Sequence, residues 1–183
     1  MRIFTLFIVM ISILMAMGCS KKMVVIKTQP SGEEHAAYSH PSKSSLEASD
    51  EALREAKQLY YRDKYKQAQK QCEKAIEFNH RNWEAHYYLG LAMQKRKSYE
   101  LSIEALGVGL KYSPDNKLVK SEIHLAIGNS WEKLGELGNA DKEYELALEF
   151  NPDNQYARDA KNRLKVQKTM KNWGKDVERD YDG

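Results

Sequence analysis

Residues 65–78 read YKQAQKQCEKAIEF and residues 137–150 read LGNADKEYELALEF. Laid over one another without a gap, they pair Tyr65 with Leu137, Ala68 with Ala140, Ala75 with Ala147 and Phe78 with Phe150. Between them, residues 99–112 (YELSIEALGVGLKY) put Tyr99, Ser102, Gly109 and Tyr112 at the same offsets. Those offsets fall on one face of a helix. The copies step by 34 residues (68 to 102) and then 38 (102 to 140), the scale of a two-helix solenoid repeat. A reaction centre is not built three times over, so the pattern predicts a stacked surface for binding.

About a dozen residues before each copy begins a second helical pattern, with Ala56, Gly90 and Gly128 at its small central position. This arrangement resembles the tetratricopeptide repeat, in three copies over residues 49–82, 83–116 and 121–154. The resemblance implies an all-α helix-turn-helix solenoid, helix A followed by helix B in each repeat. Small residues let the two helices of a pair approach closely, and large ones fill the remaining volume. Cys72, Leu106 and Tyr144 supply bulk at one B position, and Trp131 adds more in the third repeat. Pro114-Asp115-Asn116 and Pro152-Asp153-Asn154 end a helix and offer a cap for the next. His80 stands where the first repeat would have such a Pro, which predicts that the first inter-repeat turn is the least typical. Lys117–Lys120 are four additional residues, about one turn, expected to lengthen the third helix A at its start.

Outward from the repeats, Tyr156, Ala157, Ala160 and Leu164 recur on one face of residues 155–170, which reads as a capping helix, with residues 171–183 as a polar tail. Seven cations against Asp159 lie between Arg158 and Lys175, and a solvated cap is favoured over a membrane, acidic or nucleic-acid contact. Residues 19–48 are rich in Ser, Lys, Glu and His and read as a flexible tether. At the start, Arg2 precedes an apolar run from Ile3 to Met17, and 1–18 reads as a signal peptide; its 15 residues fall short of the about 20 that span a bilayer. Ala16-Met17-Gly18-Cys19 resembles the lipobox of bacterial lipoproteins, with Ala16 where Leu is usual. That resemblance implies acylation of Cys19 and a membrane anchor, and Ser20 after it implies the outer membrane of a host that has one, facing the periplasm. An ordinary signal or a short anchor is the alternative.

The net charge of +3 gives no bulk argument for nucleic acid. Of the two cysteines, Cys19 is assigned to lipid and Cys72 to packing, so no disulfide is expected. The histidines, His35, His40, His80, His86 and His124, show no i, i+4 pair for zinc, and Gly107 and Gly109 sit in a helix rather than a phosphate loop. No cofactor, metal or catalytic constellation is predicted.

In the family resembled, A helices line the concave face. Their inner positions here are Leu53, Lys57, Tyr60 and Tyr61; Tyr87, Leu91, Gln94 and Lys95; and Leu125, Asn129, Glu132 and Lys133. Aromatic anchors with polar neighbours suit an extended peptide or a partner helix. Tyr60, Tyr61 and Tyr87 equally suit packing between helices. The family's clamp for C-terminal carboxylates is not expected, because its places hold Leu53, Tyr88, Glu122 and Ala126, with only Lys57 and Asn129 of suitable polarity. The resulting expectation is a lipid-anchored interaction scaffold or assembly factor of the cell envelope, serving pilus or secretin biogenesis, outer-membrane assembly or cell-wall machinery. An accessory or regulatory subunit of an envelope enzyme is the alternative.

Overall fold

The computed structural model describes residues 41–181. Seven helices occupy them: α1 (Lys43–Tyr61), α2 (Tyr65–Phe78), α3 (Trp83–Lys95), α4 (Tyr99–Tyr112), α5 (Lys117–Lys133), α6 (Leu137–Phe150) and α7 (Gln155–Tyr181). No strand occurs among the described residues. The signal peptide, Cys19 and the tether as far as residue 40 lie outside them.

Two boundaries differ from expectation. The tether does not reach residue 48, because α1 starts at Lys43 with Ser42 as its cap, the Ser42 hydroxyl accepting from Ser45 N at 3.2 Å. The capping helix does not stop at 170 but runs to Tyr181. Charged residues with little apolar period are good helix formers in themselves, so loss of the apolar pattern does not end the helix. α5 begins at Lys117, one turn ahead of Ser121, where the extra residues predict.

Helices pair as α1/α2, α3/α4 and α5/α6, and α7 lies on α6. The A helices α1, α3, α5 and α7 each touch the next A helix, whereas α2, α4 and α6 do not touch one another. A stack drawn together on one side and splayed on the other curves, so the A helices line its inner face.

Each pair is fitted by size. In the first repeat Ala56 and Cys72 share one buried cluster. In the second, a Cβ on Gly90 would lie 2.5 Å from Leu106 Cγ. In the third, a Cβ on Gly128 would lie 2.5 Å from Tyr144 Cε1 and 2.7 Å from Cδ1. As the B residue grows from Cys to Leu to Tyr, the A residue shrinks from Ala to Gly, which keeps the interior filled.

Inside each repeat the turn from A to B is the same. Asp63, Lys97 and Gly135 have φ of 59°, 63° and 81°, and sit 34 and then 38 residues apart like the helices they join. Ser98 N donates to Met93 O and Lys97 N to Gln94 O, both at 2.9 Å, the paired bonds of a Schellman cap. Only Gly135 adopts that φ without a Cβ penalty.

Between repeats, the expectation for the first turn is overturned. The turns at 79–82 and 151–154 share one bonding scheme: Asn82 N donates to Asn79 O and Asn154 N to Asn151 O, both at 3.0 Å. Asn79 and Asn151 side chains then accept from Arg81 N and Asp153 N at 3.1 and 3.2 Å. Asn at the first turn position sets this geometry, with or without the Pro. The odd turn is the one at 113–116, where Ser113 replaces that Asn and feeds the longer α5.

A buried relay locks these two matched turns. Ser49 Oγ donates to Ala75 O at 2.8 Å and accepts from Asn82 Nδ2 at 2.9 Å, while Asn82 Oδ1 caps α3 through Ala85 N. Ser121, Ala147, Asn154 and Ala157 repeat it at 2.7, 2.9 and 3.1 Å. One Asn thus ties helix A, helix B and the next helix A together with every polar atom satisfied.

Candidate functional site

The inner face has three parts. Where the first and second repeats meet stands a wall of tyrosines. Tyr60 meets Tyr61, Tyr65 and Tyr88 edge-on at 5.7, 5.5 and 5.7 Å, and Tyr88 meets Tyr87 at 5.6 Å. Edge-to-face contacts of this kind are a favoured arrangement of aromatic rings. The Tyr61 and Tyr88 hydroxyls bond at 2.9 Å, and Tyr61 is 72% exposed. Lys57 pairs with Glu84 and lies 5.3 Å from the centre of the Tyr88 ring. Burial pushes the Tyr87 and Tyr88 phenols well up, Glu122 adding to the first and Tyr61 to the second, so both stay neutral.

The middle part is a groove of about 450 Å³ between α3, α5 and the start of α7, walled by Tyr87, Leu91, Glu122, Leu125, Asn129 and Tyr156 among others. Tyr87 donates to Glu122 at 3.4 Å. Beside it, a smaller hollow is walled by Trp83, Glu84, Tyr88, Leu118 and Val119. Leu118 and Val119 belong to the additional turn of α5, so the four extra residues widen the inner face with apolar surface.

The third part is lined by Gln94, Lys95, Tyr99, Asn129, Glu132, Lys133 and Arg163. Asn129 belongs to this part and to the groove, which makes the two continuous. Glu132 is the structural hub here. It accepts from Arg163 Nε and Nη2 at 3.0 and 2.9 Å, from Tyr144 Oη at 2.6 Å and from Gln167 at 3.2 Å. Burial raises the Glu132 carboxyl, but the Arg163 and Tyr144 bonds outweigh it and hold the group below the usual carboxylate range. Through Glu132, α7 is tied to α5.

Of the twelve expected inner positions, eight line the groove or the third part, and Lys57, Tyr60 and Tyr61 stand in the tyrosine wall. Leu53 does not: it is 6% exposed and packs with Ala52, Ala75 and Ala85, because the crossing of α1 over α2 and α3 covers it. Gln94 and Glu132 are on the face, but their bonds are internal, Gln94 donating to Ala126 O and to Ser130 Oγ. Lys57 likewise answers Glu84.

Two residues escaped the sequence reading. Tyr88 belongs to the wall, and its signal was adjacency to Tyr87 on a helix whose both flanks are covered. Tyr156, expected on the packed stripe of the cap, is 79% exposed and walls the groove, while Ala157, Ala160 and Leu164 are buried. It stands about 100° around the helix from Ala157, enough to leave the stripe.

Other chemistry-bearing groups are engaged elsewhere. Cys72 is fully buried and burial pushes its thiol up to about 12, which suits packing and not nucleophilic attack. His86 bonds His80 O at 3.0 Å, and burial lowers its pKa. His124 bonds Glu143 at 2.8 Å and stacks on Phe150 at 5.4 Å. Among the described residues no cluster of three or more His, Cys, Asp or Glu has metal-holding geometry, and no helix is long and apolar enough to cross a membrane. The basic stretch of α7 is not merely solvated: Lys161 pairs with Glu145, Arg163 with Glu132 and Lys168 with Asp141.

No protein-family model and no curated protein matches the chain. Solved structures do. The Arabidopsis OM64 TPR domain has a TM-score of 0.61 at 21% identity, covering 66% of this chain and 96% of its own. The second TPR domain of human RPAP3, in complex with the HSP70 peptide SGPTIEEVD, gives 0.58 at 18%, covering 67% and 96%. The Yersinia enterocolitica type III secretion chaperone SycD, in complex with a peptide of the translocator YopD, gives 0.61 at 19%, covering 69% and 99%. The fold is therefore the tetratricopeptide helical solenoid, as the repeats imply.

Proposed function

We propose that this chain is a protein-interaction module whose inner face holds a segment of a protein partner, and that acylated Cys19 confines it to a membrane of the cell envelope. The observation that carries the reading is the groove between α3, α5 and α7, where Tyr87, Leu91, Leu125 and Tyr156 present apolar surface beside the amide of Asn129. Rigid aromatic and aliphatic anchors among polar groups are what binding surfaces use. Two of the structurally similar proteins are peptide complexes, which supports a peptide or protein ligand on this fold.

The mechanism is positional. A lipid on Cys19, with only residues 20–42 between it and α1, would keep the groove near a surface. A partner at that surface meets the groove at a raised effective concentration. The lipobox resemblance and Ser20 support an outer-membrane location facing the periplasm, and the resemblance to lipoproteins that carry these repeats supports a role in assembling an envelope complex.

The test is co-purification from cells of the tagged full chain with and without Leu91→Asp and Tyr156→Ala, read by quantitative mass spectrometry. A partner depleted at least tenfold by either substitution, with the helical circular-dichroism signal retained, is the expected result. Partners recovered equally by all forms would contradict the reading.

A further inference from the structure

The inner face is divided by charge. Its groove and the neighbouring hollow contain Glu84, Glu122 and Asp153 and no Lys, Arg or His. Glu84 is answered by Lys57. Glu122, on the exposed side of α5, has the Tyr87 hydroxyl at 3.4 Å and, among the described residues, no cation paired with it. Asp153 is exposed, and the N-terminus of α7 together with Arg158, which donates to Pro152 O at 2.6 Å, partly offsets it, which leaves Glu122 the less compensated of the two. The rings of Tyr87 and Tyr156 add electron-rich faces to which a cation is attracted.

The other end is the reverse. Of the charges there, Glu132 is neutralised by its two-pronged bond from Arg163, which leaves the exposed Lys95 and Lys133. Glu122, Leu125, Ala126, Asn129 and Lys133 form one stripe along α5, since eleven residues bring a helix back to nearly the same angle. Between its ends the floor is apolar, from Leu91, Leu125 and Ala126, with Asn129 at the junction. One end of the Asn129 amide meets the Tyr144 hydroxyl, and the other end is left for a ligand.

We infer that this face binds an extended bipolar peptide segment, with Lys or Arg seated between Glu122 and Asp153, an apolar stretch over Leu91 and Leu125, and Asp or Glu beside Lys95 and Lys133. The inference rests on the proposal that the inner face is a binding surface and names what it selects. An extended backbone brings unpaired N–H and C=O groups that the Asn129 amide can meet, whereas a helix satisfies its own. From Glu122 to Lys133 is about 16 Å along the axis, which an extended chain covers in about five residues. A uniformly acidic segment meets Glu122 at one end, and a uniformly basic one meets Lys95 and Lys133 at the other.

The experiment is fluorescence anisotropy on the full chain with three labelled, end-blocked heptapeptides sharing a Leu-Ala-Leu centre: Lys-Lys before it and Glu-Glu after, Lys-Lys on both sides, and Glu-Glu on both sides. The bipolar peptide is expected to bind at least about tenfold more tightly than either other, and to weaken with salt as exposed charges are screened. Glu122→Lys with Asp153→Lys makes the face uniformly basic and should switch preference to the acidic peptide. Lys95→Glu with Lys133→Glu should switch it to the basic one. All four side chains are exposed, so these variants keep the fold, which circular dichroism checks. Equal binding of the three peptides, absence of binding, or preferences that do not switch overturn the charge rule. A partner lost on Leu91→Asp under any of those results would keep the groove and discard only its selectivity.

Discussion

Gly128 and Gly107 differ in what their missing side chains face. Gly128 meets the Tyr144 ring, whereas nothing lies within 4 Å of a Cβ built on Gly107. Gly107→Ala should therefore stabilise the chain by about 0.5–1 kcal/mol, through helix propensity alone. Gly128→Ala should destabilise it by about 1–3 kcal/mol despite the same gain, because the Tyr144 ring has to leave its site. Urea midpoints of the two variants give opposite signs if the size-matching is right. Lys97 holds φ of 63° at the turn position where the third repeat has Gly135. Lys97→Gly should recover part of the about 1–2 kcal/mol that a left-handed conformation costs a side chain. This layer was partly legible: Gly128 and Tyr144 were each readable as small and large repeat positions. Their pairing required the helix crossing, and so did the burial of Leu53, which the family resemblance puts with the inner residues.

At the level of elements, the solenoid is held by two devices, one readable and one not. Asn82 and Asn154 could be read as helix caps from their places after the turns. That the same side chains reach back to Ser49 and Ser121 could not, because the partners are 33 residues away. Asn154→Ala should cost about 1–2 kcal/mol by removing the α7 cap, and the loss should show first as faster amide exchange in α7. The second device is the Glu132 carboxylate, which ties α7 to α5. Its folded pKa lies below its ordinary value, so its stabilisation is present above the ordinary carboxylate value and is lost as pH falls through the folded one. Stability of α7 docking should therefore decline in acid, and Glu132→Gln should flatten that decline while lowering stability at neutral pH. Thermal melts across pH 3 to 7, a window of about four units around the carboxylate range, check it. The pairing of Arg163 with Glu132 was hidden in the sequence by the number of charges on α7, any of which could have been solvated.

For the whole molecule, the three-repeat order and the curvature follow from residues 65–78, 99–112 and 137–150 and their spacing. The inner face emerges from A helices that touch where B helices do not. Its content was less legible: Tyr156 comes to the groove from the helix after the last repeat, and the split between Glu122 and Lys133 depends on which other charges are paired. Cys19→Ser is expected to release the protein from membranes or to block its maturation, read by fractionation; tight attachment of the mature variant would contradict acylation as the anchor. The central claim is that the inner face binds a protein, and a photo-crosslinking amino acid placed singly along the chain in living cells tests it most directly. Placed at Leu91, Leu125 or Tyr156 it should trap one and the same partner, and at the exposed outer positions Lys74 or Glu104 it should not. Trapping that is equal on both faces, or confined to Lys74 and Glu104, would contradict the account.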